Sequence, residues 1–246
     1  MLIPELNMSV VGKCNLNCKN CAHLACRTEY AQWHLSISAL EKFIISCHDS
    51  DYIIETLNIN AIGEPLCWEN LLEGLPLLHQ SKIAKCINLV TNGLLFLQDT
   101  ALLTTVLNYV DKTSISLYEF LDDEKKIHIR ELLTHNKVRI FERHYFGRRI
   151  ASIDETYSIP CKCMCGLTFT DNRISICGAP GHDAFKLCNL PYPDIFQILS
   201  VPVKKDWYLE VSKLIKDYQG KMVLCMHCFN NSNKYFYQQR DRVASL

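Results

Sequence analysis

Five short apolar runs recur along the first 142 residues, and segments of helical period separate them. This alternation constrains the fold more than any other feature of the chain. Residues 5–11 (ELNMSVV) alternate and stop at Gly12, residues 55–61 (ETLNINA) precede Gly63, and residues 85–91 (KCINLVT) lead into Asn92-Gly93. Residues 113–118 (TSISLY) and 137–142 (KVRIFE) complete the set of expected strands. Between the first two, Ser38 and Glu41 form a capping box, and Leu40, Phe43, Ile44 and Cys47 fall on one helical face. Residues 70–80 read as a helix that Gly74 and Pro76 should bend or shorten. Asp99 caps a helix carrying Leu102, Leu103, Val106 and Val110, and Asp122 opens another to about residue 135, with Ile129, Leu132 and Leu133 inward. Strands alternating with helices imply parallel pairing through right-handed crossovers. Five strands are too few to close an eight-stranded barrel, so the expected fold is α/β, an open partial (β/α) barrel of about five parallel strands.

After about residue 150 the rhythm stops. Residues 167–170 and 173–177 read as a hairpin around Asp171-Asn172, and residues 206–219 as a helix with Val211, Leu214, Ile215 and Tyr218 on one face. The expected division is a barrel over 1–149 and a small C-terminal domain over 150–246. Cysteines flank both elements of the second part.

The chain holds 14 cysteines, gathered mainly in two tight groups, with no export signal at the N-terminus. Thiols two or three residues apart are poorly placed to pair with each other and well placed to share a metal. Cys14, Cys18 and Cys21 follow the first strand with spacing x3 then x2. A loop this short can wrap three corners of a cubane iron–sulfur cluster and leave one iron without a protein ligand. A structural zinc site completed by His23 or Cys26 is the alternative. Two further turns belong to the same end of the strands: Gly63-Glu64-Pro65 after the second and Thr91-Asn92-Gly93 after the third. In parallel α/β barrels the C-terminal strand ends form one rim, where active sites lie.

With these residues in place, the sequence resembles the radical S-adenosylmethionine (radical SAM) superfamily. Cys14, Cys18 and Cys21 match its CxxxCxxC signature, and Gly63-Glu64-Pro65 matches its second-strand motif, which in the family meets the amino group of the cofactor's methionine. The resemblance spans residues 5 to about 142 and implies a [4Fe–4S] cluster and S-adenosyl-L-methionine, with Gly63, Glu64, Pro65, Asn92 and Ser116 toward the cofactor. Two departures stand out: Asn20 replaces the usual aromatic residue before the third cysteine, and Ile62 replaces a glycine before the motif.

The second group comprises Cys161, Cys163 and Cys165 before the hairpin, Cys177 at its end, Cys188, and Cys225 and Cys228 in a CxxC pair. Two ligands near a hairpin and two from a later CxxC make a complete four-thiolate site, for an iron–sulfur cluster or for zinc. The arrangement is similar to the twitch domain, a shortened form of the auxiliary-cluster (SPASM) domain of some radical SAM enzymes. That resemblance implies a second [4Fe–4S] cluster held by Cys177, Cys225 and Cys228 with Cys161, or Cys165 in its place. In an alcohol-oxidising member of the family, an arginine in a loop soon after the fifth strand takes the substrate proton; Arg148 and Arg149 occupy a comparable place.

The implied activity is an oxidoreductase that generates a 5′-deoxyadenosyl radical and dehydrogenates a small polar alcohol such as an aminocyclitol or sugar, with the auxiliary cluster accepting an electron. Peptide modification (thioether, crosslink or epimerisation) and sugar epimerisation, with Cys188 or Cys26 returning a hydrogen, are the alternatives. The implied partners are a small-molecule substrate, or a peptide, and an electron donor such as flavodoxin or ferredoxin. Lys plus Arg and Asp plus Glu both number 26, so the formal net charge is zero, which argues against nucleic acid. No apolar run reaches the length of a membrane span, and the expected location is cytoplasmic. Cys47, Cys67 and Cys86 read as small packing groups, and His128 and His135 as residues of a solvated helix face.

Overall fold

A computed structural model describes residues 1–16, 32–60, 62–143, 166–170, 172–176 and 199–218. The strands are β1 (Leu2–Ser9), β2 (Ile53–Asn60), β3 (Ala84–Thr91), β4 (Lys112–Tyr118), β5 (Val138–Arg143), β6 (Leu167–Thr170), β7 (Arg173–Ser175) and β8 (Ser200–Pro202). The helices are α1 (Ile37–Asp49), α2 (Leu71–Ser81), α3 (Leu94–Gln98), α4 (Thr100–Tyr109), α5 (Asp123–Glu131) and α6 (Trp207–Tyr218). One sheet runs in the order β5-β4-β3-β2-β1-β6-β7-β8. Strands β1 to β5 pair in parallel, as the alternation with helices requires. The result is an α/β fold with a mostly parallel central sheet, consistent with a partial barrel.

The sheet is larger than the five strands expected. Strand β6 adds to the free edge of β1, again in parallel, and β7 and β8 continue it antiparallel. The hairpin itself falls where its sequence places it: Asn172 takes φ +58°, a conformation Asn tolerates better than most residues. The expected division between residues 149 and 150 lies outside the described residues. Strand β8 and the short helix α3 were not anticipated, because three and five residues are too few to establish a period.

Helix α1 begins at Ser36, not Ser38. The Ser36 hydroxyl accepts from Ala39 N at 3.2 Å, while buried Leu35 and Leu40 bracket the first turn as a hydrophobic staple. Asp99 and Asp122 cap α4 and α5 as expected, accepting from Leu102 N and Lys125 N. Helix α2 keeps its eleven residues despite Gly74 and Pro76. Gly74 is needed for packing: a Cβ there would lie 2.1 Å from the Trp68 indole, whose Nε1 donates to Leu35 O.

The two faces of the sheet differ. Leu6, Met8, Leu57, Ile59, Leu89 and Ile115 point to one face and are fully buried with Leu40, Phe43, Leu75 and Val106 from the helices. On β6, Phe169 joins them by stacking on Phe43 at 4.7 Å. The alternate positions, Glu5, Asn7, Asn58, Asn60, Asn88, Ser114 and Ser116, make the other face polar. Among the described residues no helix is long and apolar enough to cross a membrane.

Candidate functional site

The chain leaves β1 and returns to it at nearly the same point. Gly12 N donates to Trp33 O and Leu35 N to Val10 O, both at 2.8 Å, and Val11 bridges His34 antiparallel. The two ends of the cysteine-bearing segment are therefore held together. Cys14 begins it, partly exposed, and its Sγ accepts from Leu16 N at 3.4 Å. An N–H aimed at sulfur suits a ligating thiolate, since such bonds stabilise charge on cluster sulfurs. Cys18, Cys21 and Cys26 lie outside the described residues. Among the described residues no three His, Cys, Asp or Glu side chains gather into a metal-binding group.

The end of β2 is stitched to this loop. Gly63 N donates to Val11 O at 2.8 Å and Glu64 N to Lys13 O at 2.9 Å. A Cβ at Gly63 would fall 2.2 Å from Lys13 O and 2.7 Å from Val11 O, so only glycine lets the two backbones meet. Pro65 then opens a short 3-10 turn, Pro65–Cys67, capped by Glu64 itself.

Glu64 is buried and ties three chain segments together. Its Oε1 accepts from Leu66 N at 3.1 Å and from Thr91 Oγ1 at 2.5 Å, and its Oε2 accepts from Asn92 N at 2.8 Å. Burial pushes its carboxyl above the usual range, while Thr91, Asn92 and Leu66 oppose the shift through their hydrogen bonds. An ionised carboxylate offers about four acceptor positions, so three donors leave one on Oε2. Asn92 completes the brace. Its Oδ1 accepts from Leu94 N at 3.0 Å, and its Nδ2 donates to Asn15 Oδ1 at 2.6 Å, next to Cys14. The turns after β1, β2 and β3 thus converge, as the rim argument anticipated. Thr91 and Asn15 were not singled out as site residues; neither carries a signal beyond its place in a turn or between two cysteines.

Ser116 lies on the polar face of β4, opposite Phe141 of β5 in register, and is 8% exposed. Arg148, Arg149, Cys161, Cys163, Cys165, Cys177, Cys188, Cys225 and Cys228 lie outside the described residues. Cys47 is a packing group as expected: it is buried, and burial pushes its thiol up to about 12. Cys67 and Cys86 are only partly buried, and His128 and His135 are exposed. A cavity of about 670 Å³ lies beside Asn15 and Leu16, between them, α3 and the start of α5.

No family model matches the chain, and no curated protein matches it. Solved structures do. The crystal structure of BtrN in complex with AdoMet and 2-DOIA superposes with a TM-score of 0.64 at 15% identity, covering 99% of each chain. BtrN in an open conformation gives a TM-score of 0.57 at 17% identity, covering 93% of each. At that identity the likeness establishes the fold, which this chain shares with BtrN over nearly its whole length.

Proposed function

We propose that this chain is a radical SAM enzyme that dehydrogenates a small polyhydroxylated or amino-bearing ring alcohol. The observation that carries the reading is the Glu64 brace: one buried carboxylate joins the ends of β2 and β3 beside the cysteine loop, with one acceptor position left. Support comes from BtrN, a radical SAM 2-deoxy-scyllo-inosamine dehydrogenase, whose fold this chain shares. The polar face beneath the rim suits a small hydroxylated substrate better than a peptide, whose apolar side chains would meet Asn and Ser there.

In this reading Cys14, Cys18 and Cys21 hold a [4Fe–4S] cluster, and the bonds between residues 10–12 and 33–35 tie the two ends of their segment together. When bound, that cluster and S-adenosylmethionine supply a carbon radical that takes hydrogen from a C–H bond, and an auxiliary cluster on Cys177, Cys225, Cys228 and Cys161 or Cys165 supplies a sink for the remaining electron. Glu64 would receive the cofactor's ammonium on Oε2, where one acceptor position is left. Gly63 allows its backbone to approach the loop, Pro65 fixes the turn, and Asn92 holds the loop in place through Asn15. Ser116, on the polar face of β4, would contact the ribose. Arg148 or Arg149 takes the hydroxyl proton, so that one hydrogen atom, one proton and one electron leave the carbinol and a ketone remains.

Anaerobic reconstitution tests this. We expect about eight irons per chain, as two four-iron clusters, and about half of that in a Cys14→Ala, Cys18→Ala, Cys21→Ala variant, which no longer cleaves S-adenosylmethionine. Deuterium on the carbinol carbon of an aminocyclitol should appear in 5′-deoxyadenosine. Stoichiometric zinc, with no uptake of iron and sulfide, would overturn the reading.

A further inference from the structure

The polar face carries a hydrogen-bond chain that can run in one direction only. Glu5 ends it, and an ionised carboxylate can only accept. Asn58 Nδ2 donates to Glu5 Oε1 at 2.7 Å, so Asn58 turns its Oδ1 toward β3, where Asn88 Nδ2 donates to it at 2.8 Å. Asn88 Oδ1 accepts in turn from Ser114 Oγ at 2.9 Å. The orientation of a lone amide is ambiguous, but here one charged end sets every link across four strands. A serine hydroxyl has a single proton, and the chain uses it. Ser114 therefore offers only lone pairs to a molecule on its face of β4.

A second branch ends in the same way. Asn60 Nδ2 donates to Asn7 Oδ1 at 3.0 Å, and Asn7 Nδ2 donates to Leu167 O at 3.4 Å. Asn60 Oδ1 is buried with no donor among the described residues. Val90 of β3 pairs in register with Ser114 and sits between the two acceptors. Arg139, the other register neighbour of Ser114, spends its NH1 on the carbonyls of Asn136 and Val138, both at 2.9 Å.

Resting on the reading above, we propose that Ser114, held as an acceptor by the Asn88–Asn58–Glu5 chain, binds a hydrogen-bond donor of the substrate, so that this face selects a hydroxyl- or ammonium-bearing cyclitol and rejects its phosphate ester. A phosphate brings only acceptors to the lone pair of Ser114, and its charge meets the exposed carboxylate of Glu5; Lys112 and Arg139, cations on this face, stand at the start of β4 and β5, the end of the strands away from the rim. Ser114 is the contact, and Glu5 is a positioning residue that acts through two amides.

The test uses reconstituted full-length protein with three probes: scyllo-inosamine, scyllo-inositol and scyllo-inositol monophosphate. Cleavage of S-adenosylmethionine without cyclitol is the control. We expect the amine and the neutral cyclitol to accelerate cleavage and the ester to fail. Ser114→Ala should raise KM for the amine about tenfold, and Ser114→Thr should restore KM. Glu5→Gln releases the amides to flip, so it should narrow the gap between amine and ester, an effect that mere loss of packing would not produce. Preference for the ester, cleavage that no probe accelerates, or unchanged KM in both Ser114→Ala and Glu5→Gln would overturn the proposal while leaving the radical SAM reading in place. Absence of any cleavage in the unmodified protein would overturn that reading, and the proposal with it.

Discussion

The two faces of the sheet are built from the same strands and follow opposite rules. On the helix face Leu6, Met8, Leu57, Ile59 and Leu89 are sealed in the core. On the other face Asn7, Asn58, Asn60 and Asn88 are joined by their own amides. A parallel sheet covered on both sides by apolar layers reads as continuous hydrophobic runs. Here the strands alternate instead, because one face supplies stability and the other is kept for polar contact. Each large side chain fully buried on the helix face contributes about 1.5–3 kcal/mol. A neutral hydrogen bond on the polar face contributes about 0.5–1.5 kcal/mol net, so the ladder adds little stability for its size.

The largest expected stability effect lies on the helix face. Phe43 is fully buried, stacked on Phe169 at 4.7 Å and tilted against Trp207 at 6.2 Å, so it joins α1 to β6 and α6. Phe43→Ala should cost about 3–5 kcal/mol in urea denaturation. A loss under about 1 kcal/mol would mean that β6 and α6 are not packed on the barrel as one core.

The rim stands between the two regimes, since Glu64 is buried like a core residue and bonded like a polar one. Glu64→Gln turns an amide N–H toward groups that themselves donate, and should cost about 1–3 kcal/mol. Its pH signature is more telling. Burial raises the folded carboxyl above its unfolded value, so the folded state keeps the proton longer. Stability should therefore fall as pH rises through the interval between the ordinary carboxylate range and the raised value. Under the proposed function, affinity for S-adenosylmethionine should rise through that same interval, because it is the ionised form that would receive the ammonium. Titrations of both quantities should flatten in Glu64→Gln; a variant that keeps both slopes would assign them to another group.

The helix face was largely legible in the sequence, because burial leaves a period. Leu40, Phe43 and Cys47 at helical spacing on α1, and the strands β1 to β5, follow from local pattern alone. Ser38 misled because a second hydroxyl two residues earlier was better placed by Leu35, a choice that packing makes. The added strand β6 was legible as a strand but not as a neighbour of β1, since pairing across 160 residues has no local trace. That Cys14 and the Gly63-Glu64-Pro65 turn meet at one end of the strands was legible, because both follow strand ends of a parallel sheet. That Glu64 also braces Thr91 and Asn92 was not, because a motif names a residue without naming its partners. The ladder did leave a sign: Asn at alternate positions in β2, with Asn7 and Asn88 in the neighbouring strands, is a poor choice for any strand buried on both faces.

The smallest expected effect sharpens the comparison most. Removing one ladder member strands its neighbours: Asn88→Leu alone leaves Asn58 Oδ1 and Ser114 Oγ without their partner, and should cost about 1–2 kcal/mol. Replacing the run together, Asn58→Leu with Asn88→Leu and Ser114→Ala, removes the linked donors and acceptors as a set, leaves the exposed carboxylate of Glu5 to water, and leaves Asn7 Oδ1 with Asn60 Nδ2 as its donor. Apolar replacement of a complete polar network is often close to neutral, so the triple variant should unfold within about 1 kcal/mol of the unmodified protein. Its rim is untouched, so it should still cleave S-adenosylmethionine slowly without substrate, while an aminocyclitol no longer accelerates the reaction. Urea denaturation and product analysis on the same preparation would check both halves. A triple variant that unfolds several times more easily than Asn88→Leu would show that the polar face holds the barrel together after all, and that the division of labour between the two faces is not the one their residues suggest.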